Sequence, residues 1–332
     1  MTEAPPFAIE AKGLRKIYPA ERNRPPKEAL AGIDLAIPRG SIFGLLGPNG
    51  AGKSTFINIL AGLANKTAGT VKVWGLDIDR DPRRARAAIG VVPQELNIDP
   101  FFTPREQLEL QAGLYGVPKA ERRTDEILAA MALDDKAGAY ARTLSGGMRR
   151  RLLVAKAMVH DPPVLVLDEP TAGVDVELRR HLWTYVRGLH ARGTTVLLTT
   201  HYLEEAQRLC DRIAIIDHGR VVACDTTEAL LKRLDRKEMV ITVAEQVAAA
   251  PEAPEGVTVE LDPPRRIVFR YQPSRTRIRH ILDAVRGAGY TIADLTTEES
   301  DLEDIFFDLV RRDSEAAKAR RAEAQRHERA RG

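Results

Sequence analysis

The segment that most constrains this chain is a glycine-rich loop set between an apolar run and a helical run. The loop fits the pattern G-x-x-x-x-G-K-[ST] and consists of Gly47, Pro48, Asn49, Gly50, Ala51, Gly52, Lys53, Ser54 and Thr55. The apolar run 42–46 precedes it and the helical run 56–60 follows, which is the strand–loop–helix context that such a loop requires. Backbone amides and the amino end of the helix can face phosphate oxygens, while Lys53 reaches the β- and γ-phosphates and Ser54 offers a hydroxyl to Mg²⁺. The pattern predicts a site for a nucleoside triphosphate.

Length and composition predict a soluble protein with one large and one small domain. The chain has 332 residues, 44% of them hydrophobic, and a formal net charge of only +3, so no strong attraction to nucleic acid is implied. We find no apolar stretch near the roughly 20 residues that cross a bilayer and no signal peptide at the start, so we expect a cytoplasmic protein. The cysteines Cys210 and Cys224 form no motif, and we expect unpaired thiols.

The hydrophobic pattern between about Phe7 and Leu230 predicts an α/β domain, because apolar runs alternate there with amphipathic helical patterns. Some runs are nearly continuous in Val, Ile and Leu, as strands covered on both faces should be: Ile42–Leu46, Val164–Leu167, Thr195–Thr199 and Arg212–Ile216. From about 95 to 160 the pattern is mainly helical, with a capping box at Thr103 and a break near Gly116. We therefore expect a largely parallel sheet with a helical subdomain inserted into it.

A small α+β domain is predicted from about Asp235 to 310, and a charged tail over 311–332. Short apolar runs predict its strands: Met239–Val243, Val257–Leu261, Arg266–Tyr271 and Tyr290–Leu295. Ser274 is expected to cap a helix with Ile278, Ile281, Leu282 and Val285 on one face, and Ser300 to begin a second amphipathic helix. The tail is predicted to be a solvated segment that is flexible or helical. The alternative is a basic segment with weak attraction to anionic lipid or RNA.

Two adjacent acids follow the apolar run Val164–Leu167. Asp168 stands at the end of the expected strand, where a carboxylate can reach a Mg²⁺ held by Ser54. Glu169 follows as the chain leaves the strand, so its side chain can turn toward the γ-phosphate and polarise a water. Such a pair in isolation is more typical of a solvated turn, but downstream of a phosphate loop it indicates hydrolysis.

A second anion-binding helix start is predicted at Ser145-Gly146-Gly147. Ser145 can cap the helical run that follows, and the two glycines leave backbone amides uncovered. A Ser-Gly-Gly sequence before a helix is commonplace and is usually only a cap, so its meaning depends on the other segments.

Taken together, these segments resemble the ATP-binding subunit of an ATP-binding cassette (ABC) transporter, a P-loop NTPase fold, over about residues 7–230. GPNGAGKST is similar to its Walker A loop, and LVLDEPTAG to its Walker B strand with the catalytic glutamate. LSGGM followed by three arginines is similar to its signature motif, VVPQ to its Q-loop, GVD to its D-loop, and LLTTH to the strand that carries its switch histidine. All six elements stand in the order and spacing of the family.

The resemblance implies a role for each matching residue. Its implied catalytic residues are Glu169, His201 as the sensor of the γ-phosphate, and Lys53. The implied magnesium ligands are Ser54, Gln94 and Asp168. Tyr18 lies about 30 residues before the loop, where the family stacks an aromatic ring on adenine. The implied ATP contacts are Tyr18, the loop residues 47–55, Gln94, Ser145, Gly146, Gly147 and Asp175.

The resemblance also implies a head-to-tail homodimer, in which ATP lies between the Walker motifs of one copy and the signature helix of the other. Loss of the γ-phosphate would open the dimer, and the helical subdomain with Gln94 at its base would pass the motion to an integral membrane permease. The chain would then lie on the inner face of the cell membrane. Met148 in the signature and the small C-terminal domain resemble type-2 exporters of drugs, polysaccharides or lipids.

Two other functions are compatible with these segments. A soluble ABC ATPase acting on nucleic acid or ribosomes would share the motifs, but the about 115 residues between Gly52 and Asp168 carry no heptad run, and the chain has a single cassette. A regulatory module that hydrolyses nothing is disfavoured because Asp168, Glu169 and His201 are all present. The sequence does not identify a transported substrate.

Overall fold

The structure is a computed structural model, and it describes residues 4–20, 25–174, 176–232, 237–299, 302–306 and 309. Contacts divide these residues into two compact units, one up to Thr226 and one from Thr227 onward. Asp235, where the sequence places the start of the small domain, lies outside the described residues, and the predicted domain limits stay a prediction. Among the helices that are described, none combines the length and hydropathy needed to span a membrane.

The first unit contains most of the regular structure. Its strands are β1 (Phe7–Tyr18), β2 (Lys27–Pro38), β3 (Ile42–Leu46), β4 (Ala68–Val73), β5 (Leu76–Asp77), β6 (Ile89–Val92), β7 (Val164–Asp168), β8 (Thr195–Thr199), β9 (Arg212–Asp217) and β10 (Arg220–Thr226). Its helices are α1 (Lys53–Leu60), α2 (Pro82–Ala87), α3 (Pro104–Leu114), α4 (Thr124–Ala130), α5 (Gly146–Met158), α6 (Val176–Ala191) and α7 (Leu203–Leu209). Short 3₁₀ turns lie at Lys119–Glu121, Asp134–Lys136 and Ala141–Thr143.

A six-stranded sheet in the order β10-β9-β3-β8-β7-β6 forms the centre of this unit. Its strands are parallel except for β10, which pairs antiparallel with β9. Strands β3, β7 and β8 are buried along their whole length, which explains their continuous apolar sequences. The predicted α/β class is confirmed. Because parallel strands place their carboxyl ends at one edge, the segments after β3, β6, β7 and β8 meet there.

A second sheet in this unit, in the order β2-β1-β4-β5, is antiparallel and was not predicted from the sequence. Its long strands β1 and β2 pair over their whole length, but the register shifts between Ala11 and Leu14 and again between Leu14 and Arg15. Such irregularities break the period-two alternation by which a half-buried strand is recognised.

The core of the first unit fixes α1 under the central sheet. Phe56, Ile59 and Leu60 of α1 are fully buried with Phe43 and Leu45 of β3. Burying each such side chain contributes about 1.5–3 kcal/mol. The loop that joins β3 to α1 is therefore held at both ends by packed elements.

Helices fill the segment between β6 and β7, as the sequence predicts. Thr103 caps α3, because its hydroxyl accepts from the Glu106 amide at 3.2 Å while its own amide donates to the Glu106 carboxylate at 2.8 Å. Ser145 caps α5 by accepting from the Met148 amide at 3.2 Å. Buried side chains of α3, α4 and α5 include Leu108, Leu128 and Leu152.

The second unit is a small α+β fold, as predicted. It contains α8 (Thr227–Leu231), β11 (Lys237–Val243), β12 (Thr258–Asp262), β13 (Arg266–Tyr271), α9 (Ile278–Gly287) and β14 (Ile292–Glu299). The strands form an antiparallel sheet in the order β12-β13-β11-β14. Ile281 and Val285 of α9 pack with Met239, Ile241 and Phe269 in its core.

Two boundaries in this unit differ from the sequence prediction. Ser274 does not cap α9, which begins at Ile278 after Arg277, because residues 272–276 first form a turn in which the amides of Arg275 and Thr276 donate to the Gln272 carbonyl. The last strand continues past Leu295 because its polar end pairs with β11. Residues 302–306 are helical, with Leu302 and Ile305 buried. Ser300, Val310 and the predicted tail 311–332 lie outside the described residues.

Candidate nucleotide-binding site

The glycine-rich loop leaves β3 at Gly47 and enters α1 at Lys53. A Cβ atom on Gly47 would lie 2.2 Å from the Ile216 carbonyl oxygen, and one on Gly52 would lie 2.7 Å from the Ala29 carbonyl oxygen. Gly52 also has φ +115°, a conformation that other residues rarely adopt. Both positions therefore require glycine because the backbones of β9 and β2 lie directly against the loop.

Lys53 folds its side chain back against this loop. Its Nζ donates to the Gly47 carbonyl at 2.6 Å and to the Pro48 carbonyl at 3.2 Å. Burial lowers the pKa of the Lys53 ammonium, whereas the nearby charges of Glu169 and Asp168 act in the opposite direction. The structure therefore places a desolvated cation between the loop and the two acids.

The remaining predicted loop residues lie around the amino end of α1. Ser54 is exposed in the first helical turn and Thr55 is half-buried, while Asn49 and Gly50 are exposed at the tip of the loop. Gly52 occupies the N-cap position and offers no side chain to the first amides of the helix. This geometry leaves the helix start to an external partner, as an anion site requires.

Asp168 ends β7 with only 7% of its surface exposed. Its Oδ1 accepts a hydrogen bond of 2.5 Å from the Thr199 hydroxyl on the neighbouring strand β8. Burial raises the pKa of the Asp168 carboxyl and the neighbouring Glu169 charge acts in the same direction, while the Thr199 bond opposes them. A nearby cation would stabilise the ionised form of this buried carboxyl and so lower its raised pKa.

Glu169 leaves the strand in a left-handed conformation, with φ +47°. Its amide donates to the carbonyl and to the hydroxyl of Thr199, at 3.1 and 3.0 Å. These bonds hold a backbone conformation that is unfavourable for a side-chain-bearing residue. The predicted turn of Glu169 away from the strand direction is thus fixed by Thr199, a residue that the sequence analysis did not single out.

Gln94 and His201 converge on the Glu169 carboxylate. The Gln94 Nε2 donates to Glu169 Oε2 at 2.9 Å, and the His201 Nδ1 lies 3.6 Å from the same oxygen. The three residues follow β6, β7 and β8, which are adjacent in the sheet. The structure therefore brings together side chains that the sequence placed in separate motifs.

Ser145, Gly146 and Gly147 lie at the start of α5 with Ser145 and Gly146 exposed. A Cβ on Gly146 would meet no atom within 4 Å. Within the described ranges, no hydrogen bond joins this segment to the loop 47–55. The segment offers its helix start to solvent within a single copy of the chain.

Tyr18 is the last residue of β1, and its ring is partly exposed with the Lys16 ammonium 4.6 Å from the ring centroid. Its stacking on adenine stays a prediction. Asp175, the predicted D-loop contact, lies outside the described residues.

Arg150 is a further residue of this site that the sequence analysis did not identify. It is only 5% exposed, and its guanidinium donates to the carbonyls of Pro93 and Gln94 at 2.7 and 2.9 Å. Burial lowers the pKa of Arg150, and the charges of Asp168 and Glu169 oppose this shift. Helical spacing could have found it, since Arg150 shares a face with the buried Leu153, Val154 and Ala157 of α5.

Comparison with known proteins gives the same family from both sequence and structure. Residues 30–172 match the ABC transporter family. The chain is similar to the Nod factor export ATP-binding protein I of Ralstonia nicotianae, with 45% identity over 217 residues that are 65% of this chain and 66% of that protein. It is also similar to the daunorubicin/doxorubicin resistance ATP-binding protein DrrA of Streptomyces peucetius, with 38% identity over 317 residues, 93% of this chain and 94% of that protein.

Solved structures match as well. An ATP-binding subunit of an ABC transporter is 29% identical with a TM-score of 0.62, covering 68% of this chain and 92% of that one. A dimeric ATP-binding cassette in a post-hydrolysis state, bound to ADP and Pi, is 27% identical with a TM-score of 0.60, covering 66% of this chain and 98% of that one.

Proposed function

We propose, since the chain belongs to the ABC transporter family of ATP-hydrolysing subunits, that it powers the export of a substrate through a membrane permease. The observation that carries the proposal is the convergence of Gln94 and His201 on the Glu169 carboxylate, at the sheet edge that also carries Lys53. This cluster joins a potential water-activating group to residues suited to recognise a terminal phosphate.

The phosphate-binding roles follow from the loop geometry. Residues 47–55 would bind the triphosphate through their amides, and Lys53 would exchange its contacts with the loop carbonyls for the β- and γ-phosphate oxygens. Ser54, Gln94 and Asp168 offer the oxygen donors that Mg²⁺ prefers, and the buried Asp168 carboxyl fits a neighbouring cation. Bound there, Mg²⁺ would neutralise charge on the phosphates.

Hydrolysis would take place in front of Glu169. Its carboxylate would orient a water toward the γ-phosphorus and receive a proton, while the bond to the bridging oxygen of the leaving ADP breaks. Gln94 would hold the carboxylate in place, and His201 would contact the γ-phosphate. The assignment of these roles rests on the position of the three side chains at one edge of the sheet.

The active form is proposed to be a head-to-tail homodimer. Each copy contains one phosphate loop and one exposed signature helix start, so the second copy would supply Ser145, Gly146 and Gly147 to the γ-phosphate. A related cassette with bound ADP and Pi is itself dimeric. Tyr18 and Asp175 would complete the contacts to ATP, with Tyr18 stacked on adenine.

The permease is proposed to bind an exposed apolar surface beside the Gln94 loop, formed by Leu96, Phe101, Phe102 and Tyr140 and called here the aromatic patch. Phe101 is 69% exposed and Tyr140 51%. Backbone bonds from Ala141 to Phe102 and from Arg142 to Pro100 hold the two parts of the patch together. Since the same loop begins at Gln94, a displacement of the patch would reach Glu169. The chain would thereby be held at the inner face of the membrane.

Export is favoured by the names of two relatives whose matches cover most of this chain. One is a Nod factor export protein and another a daunorubicin/doxorubicin resistance protein, and the second match is long enough to include the second unit. The soluble alternative, an ATPase on nucleic acid or ribosomes, finds no support in these similarities.

The proposal is tested with the tagged full-length chain in its own cells. We expect a fraction of it to sediment with membranes, to be extracted by mild detergent with one multispanning membrane protein, and to hydrolyse ATP. Recovery of the whole pool with ribosomes or nucleic acid, at a level unaffected by ATP, would contradict the proposal.

A further inference from the structure

A buried carboxylate accepts hydrogen bonds from the two segments that carry Glu169 and His201. Glu205 of α7 is only 8% exposed. It is surrounded by a group of side chains called here the Glu205 cluster, which consists of Glu205, Thr171, Arg179, Trp183 and Thr200. The hydroxyls of Thr171 and Thr200 donate to Glu205 Oε2 at 2.9 and 3.3 Å. The Trp183 Nε1 donates to Oε1 at 3.4 Å, and the Arg179 Nε lies 3.1 Å from the same oxygen.

Three donors and one guanidinium, held as an ion pair, surround this carboxylate. A carboxylate accepts only, with two oxygens, so it matches two hydroxyls, an indole N–H and a guanidinium at once. An uncharged amide would turn its NH₂ group against some of these donors. Removing the carboxylate would leave several buried donors without an acceptor, which is more costly than losing an exposed hydrogen bond.

The cluster joins three separate parts of the chain. Thr171 lies in the turn after β7, Thr200 follows β8, and both Arg179 and Trp183 belong to α6. These parts are brought together only by the fold, since Thr171 and Glu205 are 34 residues apart in sequence.

Through Thr171, the cluster holds the turn that carries Glu169. The Ala172 amide donates to the Glu169 carbonyl at 3.2 Å, and the Val174 amide to the Thr171 carbonyl at 3.3 Å. Because this turn is short and closed by its own hydrogen bonds, fixing Thr171 also fixes the backbone of Glu169.

Through Thr200, the cluster also holds the segment that carries His201. The Tyr202 amide donates to the Thr200 hydroxyl at 3.0 Å, and the Glu205 amide donates to the Tyr202 carbonyl at 3.0 Å. The rings of Tyr202 and His201 have centroids 4.0 Å apart, and the Arg179 guanidinium lies 4.6 Å from the Tyr202 ring centroid. The position of the imidazole is thus tied to Thr200, Tyr202 and Arg179.

We propose that Glu205 is a positioning residue that sets the place of His201 relative to Glu169 and links both to α6. The proposal rests on the proposed function, from which the roles of Glu169 and His201 are taken. Helix α6 begins at Val176, directly after Asp175, which is a predicted contact of the ATP held between the two copies. A shift of α6 on dimer formation therefore reaches Glu169 and His201 through the Glu205 carboxylate. Hydrolysis then depends on the dimer for two reasons, this connection and the signature helix of the other copy.

The first test is Glu205→Gln, which preserves shape but places an amide NH₂ among donors. We expect kcat for ATP hydrolysis to fall about 10- to 100-fold, because small displacements of reacting groups have effects of this size. The dissociation constant for ATP, measured with a fluorescent analogue, should change less than about threefold, since the phosphate loop is untouched. Equal loss of ATP affinity and of kcat, or a kcat within twofold of wild type, would overturn the proposal.

The matched control is Glu204→Gln, the same substitution at the preceding residue of α7. The Glu204 side chain is 84% exposed, and its carboxylate forms an ion pair with the Arg208 guanidinium at 4.0 Å. We expect wild-type kcat and ATP affinity for this variant. A loss of kcat in Glu204→Gln as large as in Glu205→Gln would show that the charge of α7 matters and not the cluster.

A general loss of structure is distinguished by stoichiometry and by a mutant cycle. Partial unfolding lowers the number of ATP sites per chain together with kcat, whereas misplacement lowers kcat at full stoichiometry. Thr171→Val removes one donor with little change of shape, and we expect its effect on kcat to be absent or reduced in the Glu205→Gln background. Additive effects of the two substitutions would contradict a shared cluster.

The link to α6 is tested by Arg179→Gln, which removes the cation between Glu205 and the Tyr202 ring. We expect kcat to fall several-fold at unchanged ATP affinity, and an unchanged kcat would contradict the link to α6 through Arg179. Glu169→Gln is measured in parallel. If Glu169→Gln hydrolyses ATP like the wild type, the proposed function fails. If it is inactive while Glu205→Gln is fully active, only the present inference fails.

Discussion

At the scale of single residues, Arg150 acts through backbone carbonyls and not through a carboxylate partner. Its planar guanidinium donates to two successive carbonyls, those of Pro93 and Gln94, which an ammonium group cannot match in the same geometry. The Gln94 side chain in turn donates to Glu169. The signature helix and the proposed water-activating residue are thus connected through one buried cation.

We predict that Arg150→Lys lowers kcat about 10-fold and the free energy of unfolding by about 1–3 kcal/mol, because at least one buried carbonyl loses its donor. Arg151→Lys is the matched control, since the Arg151 guanidinium also donates to two carbonyls, of Met131 and Ala132, away from Gln94. ATPase assays and thermal unfolding should show similar destabilisation for both variants and a loss of kcat for Arg150→Lys alone. Equal kcat in the two variants would refute the connection.

Asp168 gives a prediction about stability and pH. Burial raises its folded-state pKa above the unfolded value of about 3.9, so the folded protein binds this proton more tightly than the unfolded chain does. The contribution of Asp168 to stability is therefore most favourable below the unfolded pKa and declines as pH rises through the raised folded pKa. An asparagine would avoid the decline and keep an oxygen for the Thr199 hydroxyl.

We therefore expect Asp168→Asn to unfold at a higher temperature than the wild type at pH 7 when nucleotide is absent, while losing Mg²⁺-dependent hydrolysis. The difference in unfolding temperature should shrink toward pH 4. Differential scanning calorimetry across this range, with and without ATP and Mg²⁺, measures both effects. A variant that is less stable than the wild type at pH 7 would show that burial is not the dominant cause of the shift.

At the scale of secondary-structure elements, the loop that follows β6 connects two surfaces of different character. At its start Gln94 contacts Glu169, and farther along it the exposed Phe101 and Phe102 belong to the aromatic patch. The side-chain Nε2 of Gln107 on α3 donates to the carbonyls of Asp99 and Phe102, which holds the loop against the helix. A partner that binds the patch would thus act on an ordered segment.

We predict that Phe101→Ser reduces the fraction of the chain that sediments with membranes by at least about half, because a large exposed aromatic side chain is typical of an interface anchor. Thermal unfolding should not change, since Phe101 is exposed. Leu63→Ser, at a residue 77% exposed outside the patch, is the control and should leave membrane recovery unchanged. Equal membrane recovery of Phe101→Ser and wild type would argue against the patch as the docking surface.

At the scale of the whole molecule, a single copy of the first unit holds the phosphate loop and the acids on one sheet edge but leaves the start of α5 exposed. The whole triphosphate carries more negative charge than one lysine and one divalent cation can balance, so a second helix start is useful at its terminal phosphate. Dimerisation should therefore depend on the γ-phosphate.

We expect Glu169→Gln to form a stable dimer with ATP and Mg²⁺ and to hydrolyse ATP at least about 100-fold more slowly than the wild type, as loss of a catalytic base usually produces. Light scattering after size-exclusion chromatography should show monomers with ADP and dimers with ATP. Replacing Ser145 by Arg in the same background should prevent the dimer. A variant that dimerises equally with ADP, or that hydrolyses ATP like the wild type, would contradict the proposed site.

The amino-acid sequence by itself determined the α/β class and the residue types of the site. The loop 47–55, the acids after β7 and His201 after β8 are local patterns, and each follows a buried strand whose continuous apolar sequence is recognisable. The sequence also predicted a largely parallel sheet, and the parallel strands of the structure place these segments at one carboxyl edge. The antiparallel sheet of β1 and β2 was missed because register shifts interrupt its alternation.

Only the tertiary structure decided which side chains touch. Gln94 and Glu169 are 75 residues apart, and Arg150 and Pro93 are 57 apart, so no local periodicity specifies these contacts. The same holds for Glu205, whose sequence context is that of an ordinary amphipathic helix while its carboxylate lies among donors from three elements. Hydrogen bonds between buried side chains depend on distances of a few tenths of an ångström, and these are set by the packing of the whole unit.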